Sequence, residues 1–299
     1  MEILLATDGS GHSEEAARFL AGLELAENDL ITVLHVISGA AIKDDPWAHR
    51  AAVMELKRNV APKILDATIE AMGPVKARVT TAVADGYADK AIVDFASETG
   101  ASFVVLGARG LRGIKAFLIG STTRAVAITS PRPVLVVKPR KEGRSGPLKA
   151  LFASDGSDYA DSAARAFASI PFPGDTSVTV LTVLWSSYAD IPDRYAMEID
   201  DRVKEAVAAL RSDEFREAEA IFERARKILS SKFGEIAGMA KVGDPTEEIL
   251  KAEAETGADL VVVGSRGLRG IRGMMGSVSR KVLAHAAGSV LVGKGGPHA

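Results

Sequence analysis

Residues Ala101–Pro139 read ASFVVLGARGLRGIKAFLIGSTTRAVAITSPRPVLVVKP, and residues Ala258–Lys294 read ADLVVVGSRGLRGIRGMMGSVSRKVLAHAAGSVLVGK. Each copy passes through an apolar run, a glycine-rich segment carrying arginines, a Gly-Ser step, a helix-like pattern and a final apolar run. A second pair says the same: LLATDGSGHSEEAARFL at Leu4–Leu20 returns as LFASDGSDYADSAARAF at Leu151–Phe167. The chain is a duplication. The offset between copies is 147 residues at Asp8 and Asp155 and 157 at Gly107 and Gly264, so the second copy carries extra residues between these landmarks. A unit of about 145 residues is an ordinary domain, far longer than a solenoid repeat. The expected division is unit one at 1–140, a polar Gly/Pro-bearing linker at 141–147, and unit two at 148–299.

Within unit one, apolar strands alternate with amphipathic helices. Strands are expected at Glu2–Ala6, Leu30–Val36, Ala77–Val83, Ser102–Leu106 and Pro133–Val137. Helices are expected at Ser13–Leu23, about 46–72, Tyr87–Thr99 and Ser121–Ile128. The second of these has Val53, Leu56, Val60, Ile64, Leu65 and Ile69 as its apolar stripe, and unit two has a counterpart in the charged run Arg202–Arg226, with Phe215, Ala218, Ile221 and Phe222. Strands without polar alternation, separated by helices, indicate an α/β fold of two tandem, open, five-stranded, mainly parallel sheets with helices on both faces. In such sheets ligands bind at the carboxyl ends of the strands. The closing runs Pro133–Val137 and Ser289–Val292 have edges that invite pairing, which predicts an internal pseudo-dimer. The sequence is also compatible with a homodimer of the whole chain.

Composition narrows the partners. With 37 basic and 39 acidic side chains and a net charge of -2, nothing attracts nucleic acid or an anionic membrane in general. No apolar run nears the roughly 18 residues of a spanning helix, so the expected location is the cytoplasm. The chain has no cysteine, and its five histidines, at 12, 35, 49, 285 and 298, lack metal-ligand spacing. No metal site is expected, and His35 reads as a satisfied strand-end histidine.

The chemistry concentrates at two places in each copy. Asp8 and Asp155 follow the first strand, where a carboxylate can accept hydrogen bonds from a ribose hydroxyl or an adenine amine, or can cap the next helix. Gly107, Gly110 and Gly120 in unit one, and Gly264, Gly267 and Gly276 in unit two, allow backbone N–H groups to approach an anion at a helix start. Phosphate is the natural guest. Ser121, Thr122, Thr123, Ser277 and Ser279 add hydroxyls, and Arg109, like Arg266 in unit two, makes the loop locally basic. Neither a Walker loop nor a strand-linked GxGxxG is present.

The GxxG-x9-G[S/T] pattern at Gly107, Gly110, Gly120 and Ser121, followed by PVLVV and partnered by Asp-Gly-Ser, resembles the ATP-binding class of universal stress proteins. The tandem copies look like the UspA-like two-domain form. The resemblance implies an adenine nucleotide alpha hydrolase-like, Rossmann-like fold holding ATP or AMP, with Mg accompanying ATP. It implies that Asp8 contacts the nucleoside, the backbone near Val36 the adenine, and Gly107, Gly110, Gly120, Ser121 and Thr122 the phosphates. In unit two the matching positions are Asp155, Val183, Gly264, Gly267, Gly276, Ser277 and Val278, with Ser279 matching Thr123. The implied function is that of a stress-response or regulatory protein for which the nucleotide signals conformation or partner affinity. The alternatives are a slow ATPase or adenylate-forming enzyme, or a structural module with vestigial sites. No catalytic residue is assigned. The Gly267–Gly276 interval holds eight residues where unit one has nine, which predicts a displaced phosphate loop and weaker triphosphate binding in unit two.

Overall fold

Pairing starts at β1 (Glu2–Thr7), which takes β2 (Leu30–Ile37) on one side and β4 (Phe103–Gly107) on the other, all parallel. β3 (Arg78–Asp85) lies outside β2, and β5 (Val134–Val137) lies outside β4. This computed structural model describes residues 1–38, 47–109, 119–139, 146–184, 201–267 and 275–295. Unit two repeats the order with β6 (Lys149–Ala153), β7 (Ser177–Leu184), β8 (Ile236–Val242), β9 (Leu260–Gly264) and β10 (Ser289–Gly293). β5 and β10 then pair antiparallel, with Leu135 opposite Leu291. The result is one ten-stranded sheet in the order β3-β2-β1-β4-β5-β10-β9-β6-β7-β8. Each unit keeps its expected five parallel strands, and the closing edges satisfy one another.

The strands explain their own positions. β4, β5, β9 and β10 are buried at every residue, as central strands covered on both faces must be, whereas β3 and β8 at the rims alternate with exposed residues. One face is covered by α1 (Gly11–Ala21), α2 (Trp47–Met72), α5 (Asp158–Ser169) and α6 (Asp201–Leu229). The other is covered by α3 (Ala88–Glu98), α4 (Ser121–Thr129), α7 (Pro245–Thr256) and α8 (Ser277–His285). The expected stripe of α2 holds only in part: Leu65 is buried, but Val53, Leu56 and Val60 are exposed. At 1.5 Å per residue this helix is about 39 Å long and outruns the roughly 27 Å of β2, so its first half has no sheet to cover. Phe215 in α6 is exposed for the same geometrical reason.

Two lysines lock the seam between units. Lys138, just after β5, reaches into unit two, where its Nζ donates to the carbonyls of Leu283, at 3.4 Å, and Ala286, at the end of α8. Lys294, just after β10, reaches back and donates to the carbonyls of Ala127 and Ile128 in the last turn of α4, at 2.6 and 3.1 Å. Each ammonium therefore satisfies orphan carbonyls at the negative end of the other unit's helix. Burial pushes both ammonium groups down to about 8; Glu253 pulls Lys138 up against Arg109, and Arg266 adds repulsion at Lys294.

Because the folded-state pKa of each lysine lies below its unfolded value, the unfolded chain binds more protons between about pH 8 and pH 10.5. Stability relative to a Lys138→Met/Lys294→Met protein is therefore expected to rise across that window, by on the order of 3 kcal/mol per lysine at most. Urea unfolding of both proteins at pH 7.5 and pH 10 measures this. A relative stability that stays flat contradicts it.

Candidate functional site

The strand order of each unit reverses between β1 and β4, and again between β6 and β9, and the carboxyl ends of these strands form the crevice where open α/β sheets take ligands. In unit two this crevice is a cavity of about 290 Å³, near the lower bound for small-molecule sites. Asp155, Val183, Gly264, Arg266, Gly267, Gly276, Ser277, Val278 and Ser279 all line it. Every unit-two residue expected from sequence is thus brought to one concavity. In unit one, Asp8 follows β1, Val36 lies in β2, Gly107 ends β4, and Gly120 through Thr123 open α4. Gly110 lies outside the described residues.

Local chemistry builds the same frame twice. Asp8 Oδ1 accepts from the Ser10 N–H at 3.1 Å, and Asp155 Oδ1 accepts from the Ser157 N–H at 3.1 Å and the Ser157 hydroxyl at 2.6 Å. One oxygen of each carboxylate is thus committed to a turn that feeds the next helix, as the capping reading expects. Gly9 and Gly156 hold that turn in the left-handed region, at φ 76° and 74°. The serines then cap α1 and α5 through their side chains, accepting from Ser13 N and Ala160 N.

The helices at the phosphate end differ. α4 and α8 begin on Gly120 and Gly276, which supply no side-chain cap. The N–H of Gly120 donates to Ala108 O and that of Gly276 to Ser265 O, both at 2.8 Å. The hydroxyls of Thr123 and Ser279 donate to the carbonyls of Gly107 and Gly264, at 2.9 and 2.6 Å. These bonds tie each helix start to the end of its strand. They commit the glycine amide and the third-position hydroxyl to the fold, and leave the first-turn amides of Ser121–Thr123 and Ser277–Ser279 as the groups without intrahelical partners. The pattern is the same in both units. The helix starts of the two units thus make matching hydrogen bonds, while the loops of unequal length, and with them the anticipated displacement, lie outside the described residues.

The universal stress protein family model matches residues 1–138 and again 148–294. The chain belongs to the universal stress protein family. A universal stress protein of Mycolicibacterium smegmatis is 25% identical over 299 residues, covering 97% of this chain and 96% of that protein. Universal stress protein YxiE of Bacillus subtilis is 27% identical over 145 residues, 46% of this chain and 98% of its own length. A solved universal stress protein from Archaeoglobus fulgidus superposes with a TM-score of 0.63 at 23% identity, covering 98% of both chains, and shares the fold.

The glycines of this family pattern do unlike work here. A Cβ at Gly107 would lie 2.4 Å from the His12 carbonyl oxygen, and one at Gly264 would lie 3.1 Å from that of Arg266 and 3.2 Å from that of Tyr159, so these two admit the backbone of α1 and α5, the helices that follow the neighbouring strands. A Cβ at Gly267 would lie 2.5 Å from Asp155 Oδ2, so this glycine makes room for the carboxylate. Gly276 is different. Its φ is -59°, and a Cβ there would meet nothing closer than 3.5 Å. Among the described residues, nothing demands glycine at 276.

Sequence reasoning missed several contributors. Tyr159 receives a 3.0 Å hydrogen bond from Arg266 Nη1, with the guanidinium 5.2 Å from its ring centroid, and so orients that arginine. Leu181, Pro245 and Ile249 complete an apolar wall. Only the topology, which sets α7 beside β7, brings these residues in. His35 behaves as read, with Nδ1 2.9 Å from Thr7 O in a buried setting. A larger cavity, about 620 Å³, lies between the units and contains none of the candidate residues. Its buried Lys138 and Glu253 are already engaged, the latter by the N–H groups of Ala287 and Gly288.

The packing contrast is testable by stability alone. Gly107→Ala must push apart two backbones and is expected to lower the unfolding free energy by roughly 2–3 kcal/mol. Gly276→Ala should change it by less than about 1 kcal/mol. Equal losses in urea unfolding would contradict this division.

Proposed function

We propose that each unit binds an adenine nucleotide, ATP or AMP, and that the nucleotide sets the conformation or partner affinity of a stress-response or regulatory protein. The observation that carries the reading is Gly276, a glycine that no neighbour among the described residues requires, placed where a cavity meets the uncapped start of α8. A side chain there would intrude on the space in front of the first-turn amides. Those amides and the helix dipole favour an anion, and three converging N–H groups suit a phosphate.

The rest of the cavity fits the remainder of such a ligand. The backbone near Val183, with Leu181, Pro245 and Ile249 beside it, offers an apolar slot with main-chain hydrogen-bonding groups for adenine. Asp155, with Oδ1 fixed by Ser157, presents a carboxylate to the ribose hydroxyls. Arg266, steadied by Tyr159, adds positive charge beside the phosphates. Unit one carries the corresponding set at Asp8, Val36, Arg109 and Ser121–Thr123. Mg²⁺ would enter with ATP on its phosphate oxygens: among the described residues no group of three or more His, Asp or Glu is arranged to hold a metal ion.

Calorimetric titration with ATP, ADP and AMP tests the reading. Gly276→Val should remain folded and lose one of two binding events, and Asp8→Ala/Asp155→Ala should weaken the nucleotide by about 5- to 150-fold, the equivalent of 1–3 kcal/mol. Undiminished affinity in both folded variants, or no binding to the unaltered chain, would overturn it.

A further inference from the structure

The seam lysines connect more than two domains. Lys294 follows Gly293, which pairs in register with Gly264 at the end of β9, and the Gly293 carbonyl accepts from the Ser265 N–H at 2.9 Å. Its backbone is therefore fixed to the strand ends that carry the unit-two cavity, and Arg266 of that cavity repels its ammonium. Its side chain ends on the last turn of α4, whose first turn supplies the candidate phosphate amides of unit one. Lys138 mirrors it. It follows Val137, which pairs with Gly107 and accepts from the Ala108 N–H at 2.8 Å; it is repelled by Arg109, and it holds the end of α8, whose first turn lines the unit-two cavity.

Resting on the nucleotide reading above, we propose that these crossed lysine-to-helix contacts couple the two sites, so that an anion bound in one unit raises the affinity of the other. An anion beside Arg266 offsets the charge that opposes Lys294. That favours the seated ammonium on the carbonyls of Ala127 and Ile128. A seated cation at the negative end of α4 fixes a helix of nine residues, roughly 13 Å long, and adds positive potential toward its amino end. The first-turn amides of unit one are then held in place for their own anion. A second path runs from Arg109 through Lys138 to α8, and because coupling is reciprocal both paths contribute to one coupling free energy that acts equally in the two directions.

ATP titrations followed at the amides of Ser121–Thr123 and Ser277–Ser279 read each site separately. In Gly276→Val, where site two is closed, the midpoint at Ser121–Thr123 is expected to move to ATP concentrations about three- to tenfold higher than in the unaltered chain. With Lys138→Met/Lys294→Met in both backgrounds that difference should vanish, and with Lys294→Met alone it should shrink. An unchanged midpoint on closing site two overturns the coupling, and a shift that survives the double exchange overturns the lysine route. Should the double exchange fail to fold, Lys294→Met and Lys138→Met taken singly decide the same question: a shift undiminished in both overturns the route. If ATP moves neither set of amides in the unaltered chain, the nucleotide reading falls and the coupling with it. Two independent, ATP-responsive sites would overturn the coupling alone.

Discussion

The antiparallel pairing of β5 with β10 is the constraint from which the rest follows. Each strand is fully buried and would be an open edge in an isolated unit, so joining them removes two aggregation-prone edges at once. Because the pair is antiparallel, the carboxyl ends of the two five-stranded units, and with them the two crevices, face opposite ends of the continuous sheet. The chain leaving each strand is then delivered to the far end of the other unit's last helix, which is why Lys138 and Lys294 cross. Gly293 belongs to the same junction: a Cβ there would lie 2.3 Å from Ala163 Cβ, so α5 packs directly on β10 where unit one tolerates Val137.

A glycine signature is a composite of demands. Gly107 and Gly264 answer to strand-to-helix packing, Gly9 and Gly156 to a turn with positive φ, and Gly267 to the Asp155 carboxylate. Subtracting these leaves Gly276 as a position that the described residues around it do not explain. The same sorting applies to the polar groups, since Thr123 and Ser279 are drawn into holding helix to strand. What remains for a ligand in this crevice is mainly the first-turn amides of the two helix starts.

Much of this is legible in the sequence because duplication prints each element twice. The strands and helices of unit one lie within about two residues of where periodicity sets them, and all nine unit-two site residues meet in one cavity. What escapes has a common cause: periodicity records the face a residue belongs to, and not how far its neighbour extends. Hence it assigns Val53, Leu56 and Phe215 to a buried stripe on helices longer than the strands beneath them. Tyr159, Pro245 and Ile249 reach the site only through tertiary placement. The lysines sit one residue past a strand in a stretch that reads as loop, and a count of loop residues cannot reveal that both helix starts make the same two bonds, one from a glycine N–H and one from a hydroxyl.

The most direct test of the account is to record which backbone amides respond when ATP is added to the unaltered chain. The amides of Ser277, Val278 and Ser279 should move together with Gly264–Gly267, and those of Ser121–Thr123 together with Gly107 and Arg109. Saturable shifts confined to residues around the larger inter-unit cavity, such as Phe19, Leu250 and Gly257, with the helix starts unmoved, would contradict it.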